Sequence, residues 1–375
     1  MTVLIRAAEA FCIIAAALHF SSVIVVMRRV RRVGKPMHRV EAGVSIIRPV
    51  CGVENFSEAT LASAFRLAYP RYEILFCAAD EADPIVPLVA RLIEAHPNIS
   101  ARLLIGNDRV SSNPKLNNVV KGWHAASHAW IVMADSNVLM PPDYLQRLFE
   151  KWRADTGLVS SPPIGCSPHN IWAELECGFL NSYQARWQCF AASVGLGFAQ
   201  GKTMLFRKDL LEVAGGIRAL ASELAEDAAS SKVIAARGLR VRVVDRPFMQ
   251  PLGHRSAAEV WQRQIRWARL RRDTFMLYFI PELVAGSVAP LAACAIVAAA
   301  NNWPFAIILP AFVATWYVAE GLLIAAAGWH LSWRSPLVWL LRDVLIPLLW
   351  IASWVGKDFE WRGNPMTIAD QRHAA

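Results

Sequence analysis

The stretch Trp130-Ile131-Val132-Met133-Ala134-Asp135-Ser136-Asn137 is a row of five apolar residues that runs straight into a carboxylate and two short polar side chains. A half-solvated strand would alternate apolar with polar, so an unbroken run predicts a strand covered on both faces. Short β-rich runs, largely apolar, precede it at 44–50, 73–79 and 101–105, and follow it at 157–161, 203–207 and 240–244. Helical stretches such as 84–95 and 141–152 lie between them. The alternation over residues 44–273 predicts an α/β fold with a mainly parallel sheet, and about 230 residues can bury a substantial core.

The flanks differ in composition. Residues 10–27 carry no formal charge and are followed by Arg28, Arg29, Arg31, Arg32, Lys35 and Arg39. Basic residues after the apolar run, with no small-residue cleavage site, predict a retained anchor and set the following domain on the cytoplasmic side. Between 275 and 333 the only formal charges are Glu282 and Glu320, and Asn301-Asn302-Trp303-Pro304 breaks the stretch into spans at about 275–300 and 303–328. A third apolar run, 335–356, holds Arg342-Asp343 in its interior, a costly pair in lipid that suggests an interfacial or re-entrant course. Three full crossings after the domain would put Lys357, Arg362 and Arg372 outside, so the charge pattern asks for at least one segment that does not cross. The expected organisation is an anchor at 1–27, a basic arm at 28–43, an α/β domain at 44–273, membrane segments at 274–356 and a tail at 357–375. With 55% hydrophobic residues and a net charge of +9 clustered beside apolar segments, a membrane rather than nucleic acid is the expected partner. Seven scattered Cys with no C-x-x-C pair suggest neither a disulfide framework nor a zinc site.

In parallel α/β sheets ligands gather outside the carboxyl ends of strands, where Asp135 and Asp80 fall. A third acidic site is Glu226-Asp227. An Asp at a strand end can also simply cap the next helix. Arg263-Gln264-Ile265-Arg266-Trp267 puts two arginines on one helix face, suited to bidentate contacts with phosphate, beside a Trp that can pack on a sugar or ring. Lipid head groups would suit the same basic cluster. His124 and His128 are four apart but lack a third ligand, and Gly195-Leu196-Gly197 and Gly215-Gly216 lack the rest of a dinucleotide fingerprint. Residues 171–198 are apolar and aromatic but interrupted by Glu174, Glu176 and Arg186, which fits an interface helix or a core helix equally.

Taken together, Asn113-Pro114-Lys115-Leu116-Asn117-Asn118, Ala214-Gly215-Gly216, Ala225-Glu226-Asp227, Ala235-Ala236-Arg237-Gly238 and Ile265-Arg266-Trp267, with Arg342 beyond them, stand in one family's order. Over roughly residues 44–363 the chain resembles the ceramide glucosyltransferases, relatives of the cellulose and hyaluronan synthases. The resemblance implies a GT-A nucleotide-sugar fold with one N-terminal and about three C-terminal membrane-associated helices. It implies inverting transfer of a hexose from a UDP-sugar to a membrane lipid hydroxyl, ceramide first, in the inner membrane if the source is bacterial. By position, Asp80 would contact the uridine and Asp135 would coordinate a divalent cation, Mg2+ or Mn2+. Asn137 stands where a strict D-x-D has its second Asp, leaving Asp135 as the expected metal ligand. Asp227 would be the general base, with Glu226 as the alternative. Lys115 would lie against the donor, or be an ordinary solvated loop lysine. Arg263, Arg266 and Trp267 would lie over the donor and acceptor. A similar bacterial family that glycosylates hopanoids with an N-acetylhexosamine shares the acidic pair and the R-W. A membrane scaffold or transporter would explain only the apolar C-terminal third.

Overall fold

The computed structural model describes residues 1–32 and 42–356, and the backbone of 358–361 and 364–367. Lys35 and Arg39 of the basic arm, and Lys357, Arg362 and Arg372 of the tail, lie outside the described residues. The described residues divide into two compact units, one made of 1–32, 167–190 and 254–356, the other of 42–166 and 191–253 with the short strands 358–361 and 364–367.

The second unit is the α/β part. Its strands are β1 (Val44–Val50), β2 (Tyr72–Ala78), β3 (Ser100–Ile105), β4 (Trp130–Ala134), β5 (Thr156–Ser160), β6 (Pro163–Pro168), β7 (Thr203–Arg207), β8 (Arg240–Val243) and β9 (Phe248–Gly253). Seven form one sheet in the order β3-β2-β1-β4-β7-β5-β8, while β6 and β9 pair with each other. All seven expected strands are present, each with ends within one residue of the sequence expectation. The sheet is double-covered because successive side chains point to opposite faces. Ile46, Phe76 and Val132 pack into one core with Leu148 and Leu205. Their neighbours Ile47, Leu75 and Met133 pack into the other with Trp123, Phe206 and Ile234.

Pairing is parallel from β3 through β4, but β7 runs antiparallel to both β4 and β5. Ala134 at the end of β4 therefore faces Thr203 at the start of β7, and the residues just before β7 reach the crevice at the carboxyl ends of β1, β2 and β4. The loop after β4 is fixed from beneath by Arg48 of β1, a fully buried residue. Its guanidinium donates to the carbonyls of Thr60 at 2.8 Å, Asp135 at 3.1 Å, Ser136 at 2.9 Å and Val138 at 3.0 Å. Burial brings its pKa down to about 10, so the charge survives at neutral pH.

The first unit is helical. Thr2–Val30, Phe305–Ala327 and Ser335–Ser353 are long and apolar enough to cross a membrane. Met276–Val284 and Val288–Ala300 would do so only as one broken span, bent by 48°. The bend follows Pro281, which has no N–H to donate, and contains Gly286, where a Cβ would stand 3.1 Å from Asp343 Cγ. The Asn301–Pro304 break falls between two helices, as its sequence suggests. On the first helix, His19 stacks on Trp316 with ring centroids 3.8 Å apart, and its Nδ1 meets Arg186 Nη1 at 2.9 Å.

The Arg342-Asp343 pair is inside the bundle, not in lipid. Arg342 meets Glu320 Oε2 at 2.9 Å and Asp343 Oδ1 at 2.7 Å, and also bonds Ser182. Asp343 Oδ2 accepts from Ser287 N at 2.9 Å and from the Tyr317 hydroxyl at 3.1 Å. Each charge has a partner and further hydrogen bonds, the condition under which such a pair is tolerated away from water.

Candidate active site

Asp135 follows β4, and both of its carboxylate oxygens are held by ammonium groups. Lys115 Nζ lies 2.6 Å from Oδ1 and Lys202 Nζ lies 2.8 Å from Oδ2. Burial alone would raise the Asp135 pKa, but the two lysines outweigh it and hold the carboxyl well below the usual range. Lys115 sits in the first turn of the helix Pro114–Ala125, entered through Asn113, whose side chain caps the N–H groups of Lys115 and Leu116. Lys115 is only 9% exposed, so it is not a solvated loop lysine. Besides Asp135 it meets Glu226 Oε1 at 2.6 Å and donates to the Gly201 carbonyl at 2.7 Å. Burial opposes its charge, and the carboxylates of Asp135 and Glu226 more than compensate, so it stays protonated.

Glu226 and Asp227 open the helix Glu226–Ala235 and point to different partners. Glu226 is fully engaged, with Oε1 on Lys115 and Oε2 accepting from Asn113 Nδ2 at 2.9 Å. Asp227 makes no ion pair among the described residues; its Oδ2 accepts from Gly201 N and its Oδ1 from Ala228 N, both at 2.8 Å. Burial, then the charge of Glu226, push its pKa up to about 6 against the pull of Lys115. Gly201 is where these groups converge. A Cβ there would stand 2.6 Å from Glu226 Oε1 and 2.9 Å from Lys115 Nζ, so only glycine lets the backbone approach this closely.

Asp80 lies at the carboxyl end of β2, exposed, with Oδ1 accepting from Ala82 N at 2.9 Å. It is at the crevice edge of the sheet but is not part of the ion-pair cluster. The nearby Asp83 ties that loop to the one after β1 through Gly52 N at 2.9 Å. Arg263, Arg266 and Trp267 lie on the helix Ala257–Thr274 of the other unit, which starts with a Ser256/Glu259 capping box. There Arg263 is paired with Glu176, and Arg266 and Trp267 are half-buried.

Gly201 and Lys202 precede a strand, whereas the sequence points to the crevice most directly through the carboxyl ends of strands. The antiparallel course of β7 puts them there, with Asp135 N bonded to the Lys202 carbonyl at 3.2 Å. Lys202 Nζ also contacts Asn137 Oδ1 at 3.1 Å, and Asn137 Nδ2 contacts Glu54 Oε2 at 3.4 Å. Asp135 Oδ2 and Asn137 Oδ1 thus converge on one point that holds a cationic group. Such an oxygen pair suits a hard divalent cation that takes its other ligands from phosphate. No group of three or more His, Cys, Asp or Glu among the described residues could hold a metal without such help.

The sheet order and crevice are those of a GT-A glycosyltransferase. The mannosyltransferase from Pyrobaculum calidifontis, solved with GDP-Man and Mn2+, shares the fold with a TM-score of 0.50 at 19% identity, over 88% of this chain and 98% of that one. Ceramide glucosyltransferase 1 of Caenorhabditis elegans is 26% identical over 88% of this chain and 74% of its own length. The ceramide glucosyltransferase of Komagataella phaffii is 26% identical over 87% of this chain and 82% of its own. The model of glycosyl transferase family 21 matches residues 8–374. The chain is a nucleotide-sugar-dependent glycosyltransferase, and it belongs to glycosyl transferase family 21.

Proposed function

We propose that the protein transfers a hexose from a UDP-sugar to the hydroxyl of a membrane lipid, ceramide in the first place, with inversion at the anomeric carbon. The observation that carries this is Asp227, a carboxylate fixed by two backbone N–H groups, with a lone pair on each oxygen uncommitted by those bonds. It stands beside a cluster in which Asp135, Lys115, Lys202 and Glu226 are interlocked. Asp227 takes the proton of the lipid hydroxyl as that oxygen attacks the anomeric carbon, and the departing bond's electron pair goes to UDP. Glu226 is the poorer base, because its Oε1 is ion-paired with the Lys115 ammonium, whereas Asp227 accepts only from neutral backbone N–H groups. Asp80, Lys115, Arg263, Arg266 and Trp267 are assigned to substrate by their positions in the family pattern.

Three carboxylates against two ammoniums leave the cluster negative, and a diphosphate adds more negative charge. Asp135 and Asn137 would hold a Mg2+ or Mn2+, which supplies the charge that stabilises the leaving diphosphate. The reading of the acceptor is supported by the names of the relatives. Purified protein in nanodiscs with UDP-glucose, Mn2+ and ceramide should release UDP and yield a lipid heavier by one hexose in the mass spectrum. UDP release only with another lipid class would change the acceptor, and none with any lipid would remove the proposal.

The α/β unit is assigned to the cytoplasmic side by the basic residues after the first helix. Helix Ser335–Ser353 is assigned to the interface on that side. Just before its start, Ser332 Oγ bonds Glu174 at 2.7 Å, on the helix whose cap, Asn170, bonds the Arg255 carbonyl just before Ala257–Thr274. At its end, Arg269 bonds the Val355 carbonyl at 2.7 Å, and Arg272 bonds that of Ser353. Its C-terminal end therefore lies against an arginine-rich helix, a neighbour that does not belong in hydrocarbon. A cysteine introduced at Trp333 or at Val355, with Cys12, Cys51, Cys166 and Cys294 replaced by Ser so that only the buried native thiols remain, should resist an impermeant thiol reagent in intact cells and react after permeabilisation. Labelling of either one from outside would make the helix a full crossing.

A further inference from the structure

We propose that Lys202 is a tethered cation that occupies the divalent-metal position of the free enzyme and makes metal uptake conditional on the nucleotide diphosphate. The proposal rests on the assignment of the metal to Asp135.

Lys202 is anchored at both ends. Its carbonyl accepts from Asp135 N at 3.2 Å, and its ammonium bridges Asp135 Oδ2 at 2.8 Å and Asn137 Oδ1 at 3.1 Å. The backbone bond extends the β4–β7 pairing, in which Ala134 faces Thr203, so the ammonium returns to the carboxylate that the same strand edge positions. The side chain is 15% exposed, so screening by water is weak. A divalent cation cannot take those two oxygens while an ammonium sits on both, since like charges at contact distance in a half-buried site repel strongly. The metal must displace it.

Lys115 differs. It also touches Asp135, but Glu226 and the Gly201 carbonyl hold it independently, at 2.6 and 2.7 Å. What the displaced Lys202 gains depends on what arrives. A metal ion alone brings only more positive charge. A nucleoside diphosphate brings phosphate oxygens that offer the ammonium a charge-assisted hydrogen bond in exchange. Metal and nucleotide then favour each other's binding, and by linkage the factor is the same in both directions.

The test is Mn2+ binding to the full-length protein in detergent, followed by the EPR signal of free Mn2+, with and without UDP. In the wild type UDP should tighten Mn2+ by roughly tenfold or more, within the usual range of coupling between sites. Lys202→Met should bind Mn2+ without UDP roughly tenfold more tightly than the wild type and lose most of that coupling. Lys202→Gln, which keeps a polar donor without the charge, should do the same and covers the case in which the Met variant does not fold. Unchanged Mn2+ affinity in the folded variants, measured without UDP, overturns the role of Lys202. Asp135→Asn separates the two ideas: wild-type Mn2+ binding in it removes the metal site itself, whereas its loss there beside unchanged Lys202 variants removes only the tethered cation.

Discussion

Calorimetric titration of Asp135→Ala with UDP is expected to give the same affinity with and without Mn2+, where the wild type binds more tightly with the cation. In the proposed metal site the carboxylate is the charged ligand beside the Asn137 amide, and a hard cation has little hold on an amide alone. The substitution should leave the loop in place, because Arg48 holds its backbone from beneath and the Lys202 carbonyl holds Asp135 N. It also frees two ammonium groups from their shared counter-ion. Cation-free UDP affinity should therefore equal or exceed that of the wild type, so a lost cation effect is distinguishable from a collapsed site. Persistent tightening by Mn2+ in the variant would place the metal elsewhere.

The parts of the molecule that were legible in the sequence are those fixed by local patterns. Buried strands declare themselves as largely apolar runs, and Asp135 stands directly after one. The direction of a strand is not a local property, so the antiparallel course of β7, which carries Gly201 and Lys202 to the crevice, cannot be read from 203–207. The strand β6 was hidden for another reason: Pro163-Ile164-Gly165-Cys166-Ser167-Pro168 has proline at both ends and glycine inside, which reads as loop. Arg48 looks like an interruption in an apolar strand, and its task becomes visible only once four carbonyls are seen around it. Arg342-Asp343 looked too costly for a membrane segment because Glu320 and Ser287, its neighbours in space, are 22 and 56 residues away in sequence.

Asp227→Asn should lower turnover by roughly 10² to 10⁴, the usual contribution of a positioned general base, with donor affinity changed little because Asp135 and the lysines are untouched. A capping carboxylate would behave differently, since Asn caps about as well as Asp. The geometry already disfavours capping, because the cap residue of this helix is Ala225 and Asp227 lies inside its first turn. Asn can accept only one of the two N–H bonds that Asp227 now accepts, from Gly201 and Ala228, so a loss of about 1 kcal/mol in stability should accompany the kinetic effect. The pH profile gives an independent readout. With burial and Glu226 holding the carboxyl at about 6, Asp227 is ionised above that pH and protonated below it. A base is lost when it is protonated, so wild-type kcat should fall about tenfold per pH unit as pH drops through this value, and the limb should vanish in Asp227→Asn. If Asp227→Asn kept near wild-type turnover while Glu226→Gln abolished it, the base would be Glu226, and the ammonium of Lys115 would have to leave it before each transfer.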